Sequence, residues 1–164
     1  MNSATNQSQS GFFFLFRTDK GRITRATWWK GMAIIAPPLV LMTAGWIALS
    51  PSSPRDPSPR ALIGSTLVLI YIYALLYAFA VIMGAICFYN LSAKRFCDRL
   101  LPRSFAGLLP FGLLLAGASH WIQSRSQGGE PALVPFAIDA IVGLIALWTI
   151  YELGFRPGQE DDPP

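Results

Sequence analysis

Between Arg60 and Lys94 the chain runs through 33 positions, Ala61 to Ala93, without a charged side chain. Helices of soluble domains seldom exceed about 20 residues, and about 20 apolar residues cross the hydrocarbon of a bilayer. The pattern predicts a transmembrane helix over 61–93. If wholly helical it would reach about 50 Å, so it must tilt or project past the bilayer through Asn90-Leu91-Ser92. Three further apolar stretches obey the same rule: 31–50, 104–122 and 131–151. The first is entered through Trp28-Trp29-Lys30 and contains Pro37-Pro38, which removes two amide donors and predicts a kink. In the long span, Tyr73, Tyr77, Ala80 and Gly84 share one helical face where another helix can approach closely. The third span carries Pro110 and the small pair Gly112/Ala116. The fold class is all-α: a polytopic membrane protein with four transmembrane helices in one domain, residues 12–153.

The flanks read differently. Residues 1–11 offer nothing to bury and are expected to be a disordered tail. Phe12 to Phe16 put five large apolar side chains just before Arg17, a composition suited to the headgroup boundary. The loop 51–60 holds four prolines and three serines and reads as a turn between helices, as does the polar segment 123–130. Residues 154–164 form an acidic, Pro-containing tail that is expected to be mobile.

Composition narrows the class. The chain is 52% hydrophobic and 13% charged, against about 25% charge in average soluble proteins. Its net charge of +4 matters less than where the cations fall. Ten of the 13 Lys and Arg residues lie before span one, between spans two and three, or in the tail. Arg55, Arg60 and Arg125 lie on the other side. That asymmetry predicts both termini in the cytoplasm. No helix is basic, amphipathic and soluble, so nucleic acid is excluded as a partner. The expected partners are the lipid bilayer and its anionic phospholipid headgroups, with a membrane-protein partner or a second copy of the chain as the remaining possibilities.

Candidate chemistry is sparse. Cys87 and Cys97 are ten positions apart, about 15 Å on one helix, too far for a disulfide. The sequence holds no catalytic motif and no metal-ligand spacing, and it implies no cofactor. His120 stands beside Trp121 at the outer end of span three and reads as an interfacial residue. Asp139 lies about 12 Å below the outer end of span four. An intramembrane carboxylate marks either an ion path or a buried hydrogen bond; Tyr71 or Tyr73 is the expected partner, with Asp139 pointing into the bundle. The densest polar group is Lys94, Arg95, Asp98, Arg99 and Arg103, just past span two. Asp98 is its one acid. Arg22 and Arg25, three apart before span one, would share a face if helical, and one of them is expected to bind Asp98 bidentately.

Two segments also carry a resemblance. Gly21-Arg22-Ile23-Thr24-Arg25 with Trp28-Trp29, and Lys94-Arg95-Phe96-Cys97-Asp98-Arg99-Leu100-Leu101-Pro102, resemble the corresponding segments of the domain-of-unknown-function 805 family. Leu100 stands where that family usually has Gly, and Cys97 where it often has His or Arg. The resemblance implies a small multi-pass protein of the bacterial inner membrane with no agreed biochemical activity. The function expected is that of a non-enzymatic accessory or scaffold protein with basic cytoplasmic loops. The alternatives are a small transporter or channel component using Asp139, or a membrane-embedded enzyme acting on lipid headgroups.

Overall fold

The structure, a computed structural model, describes residues 11–49, 65–125 and 133–158. The tail 1–10, the Pro-rich loop 51–60, the turn at 126–130 and the acidic end 159–164 lie outside the described residues. The elements in order are α1 (Phe12–Arg17), α2 (Arg25–Leu49), α3 (Ser65–Asp98), a 3₁₀ turn (Arg103–Gly107), α4 (Leu108–Arg125), α5 (Leu133–Ile150) and a π turn (Tyr151–Phe155). Four of these segments are long and apolar enough to cross a membrane. The protein is all-α and multi-pass.

The helices form two pairs, α2 along α3 and α4 along α5. In the first pair, α3 turns its tyrosine and small-residue face to α2. Tyr73 donates to the Met42 carbonyl at 2.7 Å, and Tyr77 lies 3.3 Å from the Thr43 hydroxyl and stacks on Trp46. Gly84 admits Leu39, and Gly45 admits the Tyr73 ring. The seam of the second pair is built from Pro135, Val142 and Thr149, seven apart on α5 and buried. Val142 faces Gly112 of α4, where an added Cβ would already touch it at 3.1 Å, and Ala116, one turn along the same face of α4, is buried. Most other large apolar side chains of the spans are exposed, as expected of surfaces that face lipid.

Three boundaries differ from the sequence pattern, each for a local reason. Helix α2 starts at Arg25, six residues before the predicted span. Thr24 caps it: its hydroxyl accepts the Thr27 amide at 3.3 Å, and its carbonyl accepts the Trp28 amide at 3.0 Å. The helix then runs unbroken through Pro37-Pro38. Helix α3 does not stop at Ala93 but continues to Asp98, carrying Asn90, Lys94 and Arg95 as part of one 34-residue helix. Finally, the tail does not leave the bundle at Gly154, because Gly154 and Gly158 are both buried.

The two helix pairs are joined at the basic end, where α1, α3, the 3₁₀ turn and the π turn meet. Phe16, Ile23, Trp28, Leu91, Ala93, Phe96, Ala106 and Leu153 form the core there. Phe96, Phe105 and Trp148 close it as three rings with centroids 5.7–6.0 Å apart, one ring each from α3, the 3₁₀ turn and α5.

Helix α3 ends in a left-handed turn. The Leu101 amide reaches back to the Phe96 carbonyl (2.9 Å) and the Leu100 amide to Cys97 (3.1 Å). That is the Schellman arrangement, whose turning position favours glycine. Here it is occupied by Leu100, at φ 59° and exposed. A Cβ in this conformation costs about 1 kcal/mol or more. Leu100→Gly is therefore expected to stabilise the bundle by about 1 kcal/mol, read as a higher melting temperature in detergent. An unchanged or lower value would show that the Leu100 side chain is held by contacts worth more than the strain.

Candidate functional site

The charged residues at the end of α3 are buried, which is costly unless each polar atom finds a partner. They find them largely on the main chain. Arg95 is fully buried and fans its guanidinium over three segments. Its Nε donates to the Leu153 carbonyl (3.1 Å), Nη1 to Ile23 (3.3 Å) and to the Asp98 carboxylate, and Nη2 to the Arg156 carbonyl (2.8 Å). The planar fork of arginine, with five donors, is suited to this. The end of the π turn makes the arrangement possible: its last carbonyls have no intrahelical partner, so Leu153 serves Arg95 and Gly154 accepts the Trp29 indole at 3.1 Å.

Lys94, equally buried, completes the end of α1. A helix leaves its last carbonyls without intrahelical partners and carries partial negative charge there. Lys94 donates to the carbonyls of Phe14 and Leu15 and lies 4.5 Å above the Phe14 ring centre. Asn90 donates to the Phe16 carbonyl at 2.7 Å. The short α1 is thus tied to the end of α3 by two side chains one helical turn apart. Trp28 reaches Ser92 between them at 3.4 Å.

A second layer lies one turn beyond Arg95, against the same segment of the chain. Arg99 meets Glu152 at 3.2 Å and donates to the Pro157 carbonyl, while Arg156 meets the other oxygen of Glu152 at 2.9 Å. Glu152 is almost wholly buried, and sequence reasoning missed it. Its signal was present as the four-residue spacing to Arg156 at the end of span four. Gly158 was also missed: a Cβ there would fall on the Asp98 carboxylate and the Arg95 guanidinium. At the rim, Arg103 donates to the Cys97 thiol at 2.8 Å and lies 3.9 Å from Asp19.

Of the residues singled out in the sequence, Lys94, Arg95, Asp98 and Arg99 come together as one cluster. The first family-like segment reaches it as expected, but through its backbone, at the Ile23 carbonyl. Asp98 is buried and takes Arg95, from its own helix, as an ion-pair partner. Arg22 and Arg25 are exposed; Arg22 precedes the first turn of α2, so the two do not share a helical face.

Asp139 is elsewhere, near the opposite end, and its partner is not a tyrosine. It meets His120 at 2.8 Å, and both side chains are about half exposed, at 45% and 56%. The reason lies in the seam. Pro135 and Val142 occupy the contact line of α5, which leaves Asp139 on its flank, within reach of α4 but turned outward. Tyr73 is engaged with α2 instead. Asp139 therefore lines no path through the bundle among the described residues. Among these residues, too, no group of three or more His, Cys, Asp or Glu is placed to hold a metal ion.

Comparison with family models, with curated proteins and with solved structures finds no match to this chain.

Proposed function

We propose that the protein is a non-enzymatic accessory or scaffold component of a bacterial inner membrane, with the basic end in the cytoplasm against anionic phospholipid headgroups. The observation that supports this reading is the use made of the buried charges. Lys94, Arg95, Arg99 and Glu152 bind the chain's own carbonyls and one another, so the cluster acts as a clasp between segments. Around it, Arg17, Lys20, Arg22, Arg25 and Lys30 are exposed, in the position where cations meet headgroups. The resemblance to the domain-of-unknown-function 805 family belongs to the same proposal. The outward-turned Asp139 gives the transporter alternative no support.

The test is thermal unfolding in nanodiscs of phosphatidylcholine with and without phosphatidylglycerol. The parent should melt higher with the anionic lipid. A Lys20→Gln, Arg22→Gln, Arg25→Gln variant should lose most of that difference, at about 1 kcal/mol for each residue near the surface, and keep the part that Arg17 and Lys30 supply. Equal melting of the parent in both lipids would sink the headgroup reading. Conversion of either lipid during incubation would sink the non-enzymatic one.

A further inference from the structure

Beside the basic end, α1, α2 and α3 enclose a groove of about 210 Å³, lined by Phe12 and Phe16, by Ile34 and Pro38, and by Met83 and Cys87. We propose that it holds one acyl chain of an anionic phospholipid whose phosphate sits at Lys30. The inference deepens the function proposed above by giving one lipid a fixed place, and it rests on that reading for its bilayer setting.

Size restricts the occupant. A cavity of about 150 Å³ takes a benzene ring, and pockets that engulf a whole small molecule begin near 300 Å³. The groove lies between, with room for a stretch of polymethylene. The lining selects the same chemistry. It is made of aliphatic, aromatic and sulfur-bearing side chains, with Met42 and Met83 supplying surfaces that adapt to a flexible guest. No lining side chain could recognise a sugar, a nucleotide or a peptide backbone through strong hydrogen bonds.

Placement and charge supply the headgroup. Phe12 and Phe16 come from α1, which is bound across the basic end by Lys94 and Asn90, so one side of the groove opens at the level of the exposed cations. Lys30, Ile34 and Pro38 follow one another at i, i+4 and i+8, along one side of α2. Lys30 therefore stands about 6 Å beyond the lining, one turn nearer the basic end. It is exposed, and no described carboxylate forms an ion pair with it. A compact ammonium at the end of an apolar groove matches a phosphate at the end of an acyl chain.

The experiment reconstitutes the full chain in equal phosphatidylglycerol and phosphatidylcholine, extracts it in mild detergent, and counts retained lipid by native mass spectrometry. The parent should keep one phospholipid, with phosphatidylglycerol favoured about fivefold, the factor one basic residue near the surface supplies. Lys30→Gln should keep the lipid and lose the preference. Ala80→Phe and Met83→Trp both fill the groove from α3 and should retain neither lipid. Met83 is 43% exposed, so its replacement leaves the α2–α3 seam intact should the other variant fold poorly. Retention by monodisperse Met83→Trp equal to that of the parent would overturn the acyl site. A preference that survives Lys30→Gln would overturn the headgroup assignment. Either result, with lipid-dependent melting still present, would leave the proposed function standing; loss of that melting difference in the parent would strike the function itself.

Discussion

Replacing Arg95 by methionine should lower the stability of the bundle by about 3–5 kcal/mol, the cost of removing one partner from a buried ion pair. Methionine fills much of the volume but donates nothing. The carbonyls of Ile23, Leu153 and Arg156 and the carboxylate of Asp98 would all lose their shared donor inside a closed core. Arg95→Lys should recover little, because one ammonium cannot reach acceptors that a planar fork spans. The measurement is unfolding in detergent, followed together with limited proteolysis. Cleavage should appear first around residues 156–158, since the guanidinium holds that segment through the Arg156 carbonyl. A methionine variant that melts with the parent would mean that the cluster is wet and the burial of Arg95 carries no consequence.

Gly158→Ala should be nearly as revealing for a change of one methyl group. Its Cβ has nowhere to go but onto Asp98 and Arg95, and neither of those buried groups can swing aside without breaking other bonds. Overpacking of this kind costs about 1–3 kcal/mol. The expected result is a lower melting temperature and early proteolysis at the segment's end. Gly143→Ala provides the contrast. It lies within α5 with no neighbouring atom within 4 Å of the added Cβ, so better helix propensity should make it neutral or stabilising by up to about 1 kcal/mol. If the two alanine variants melted alike, the docking of Gly158 against the ion pair would be wrong.

How far this was legible in the sequence depends on range. The four spans follow from apolar run length alone, and the α2–α3 seam from the period of Tyr73, Tyr77, Ala80 and Gly84. The grouping of Lys94, Arg95, Asp98 and Arg99 is local too, because one helical turn brings them together. What could not be read was which distant backbone they serve. A buried arginine bonded to carbonyls leaves no signature in the partner residues, since every residue type has a carbonyl. Ile23, Leu153 and Arg156 therefore gave no hint of their role. The pairing of Asp98 with Arg95, three residues away on the same helix, is local in the same way. Asp139 was misplaced for a different reason: helical periodicity defined its small-residue face but not which face α4 would occupy.

Chain order gives the Arg95 fan a consequence in time. Ile23, 72 positions upstream, is already made when Arg95 leaves the ribosome, but Leu153 lies 58 positions downstream. At about 5–20 residues per second, those acceptors arrive roughly 3–12 seconds later. During that interval the α2–α3 pair is inserted while the buried Arg95 is only partly answered. Assembly of the basic end is in this sense a late event, governed by translation of the segment from Glu152 to Gly158. A nascent chain stalled before that point would present Arg95 and an unclosed core to whatever quality-control machinery surveys the membrane.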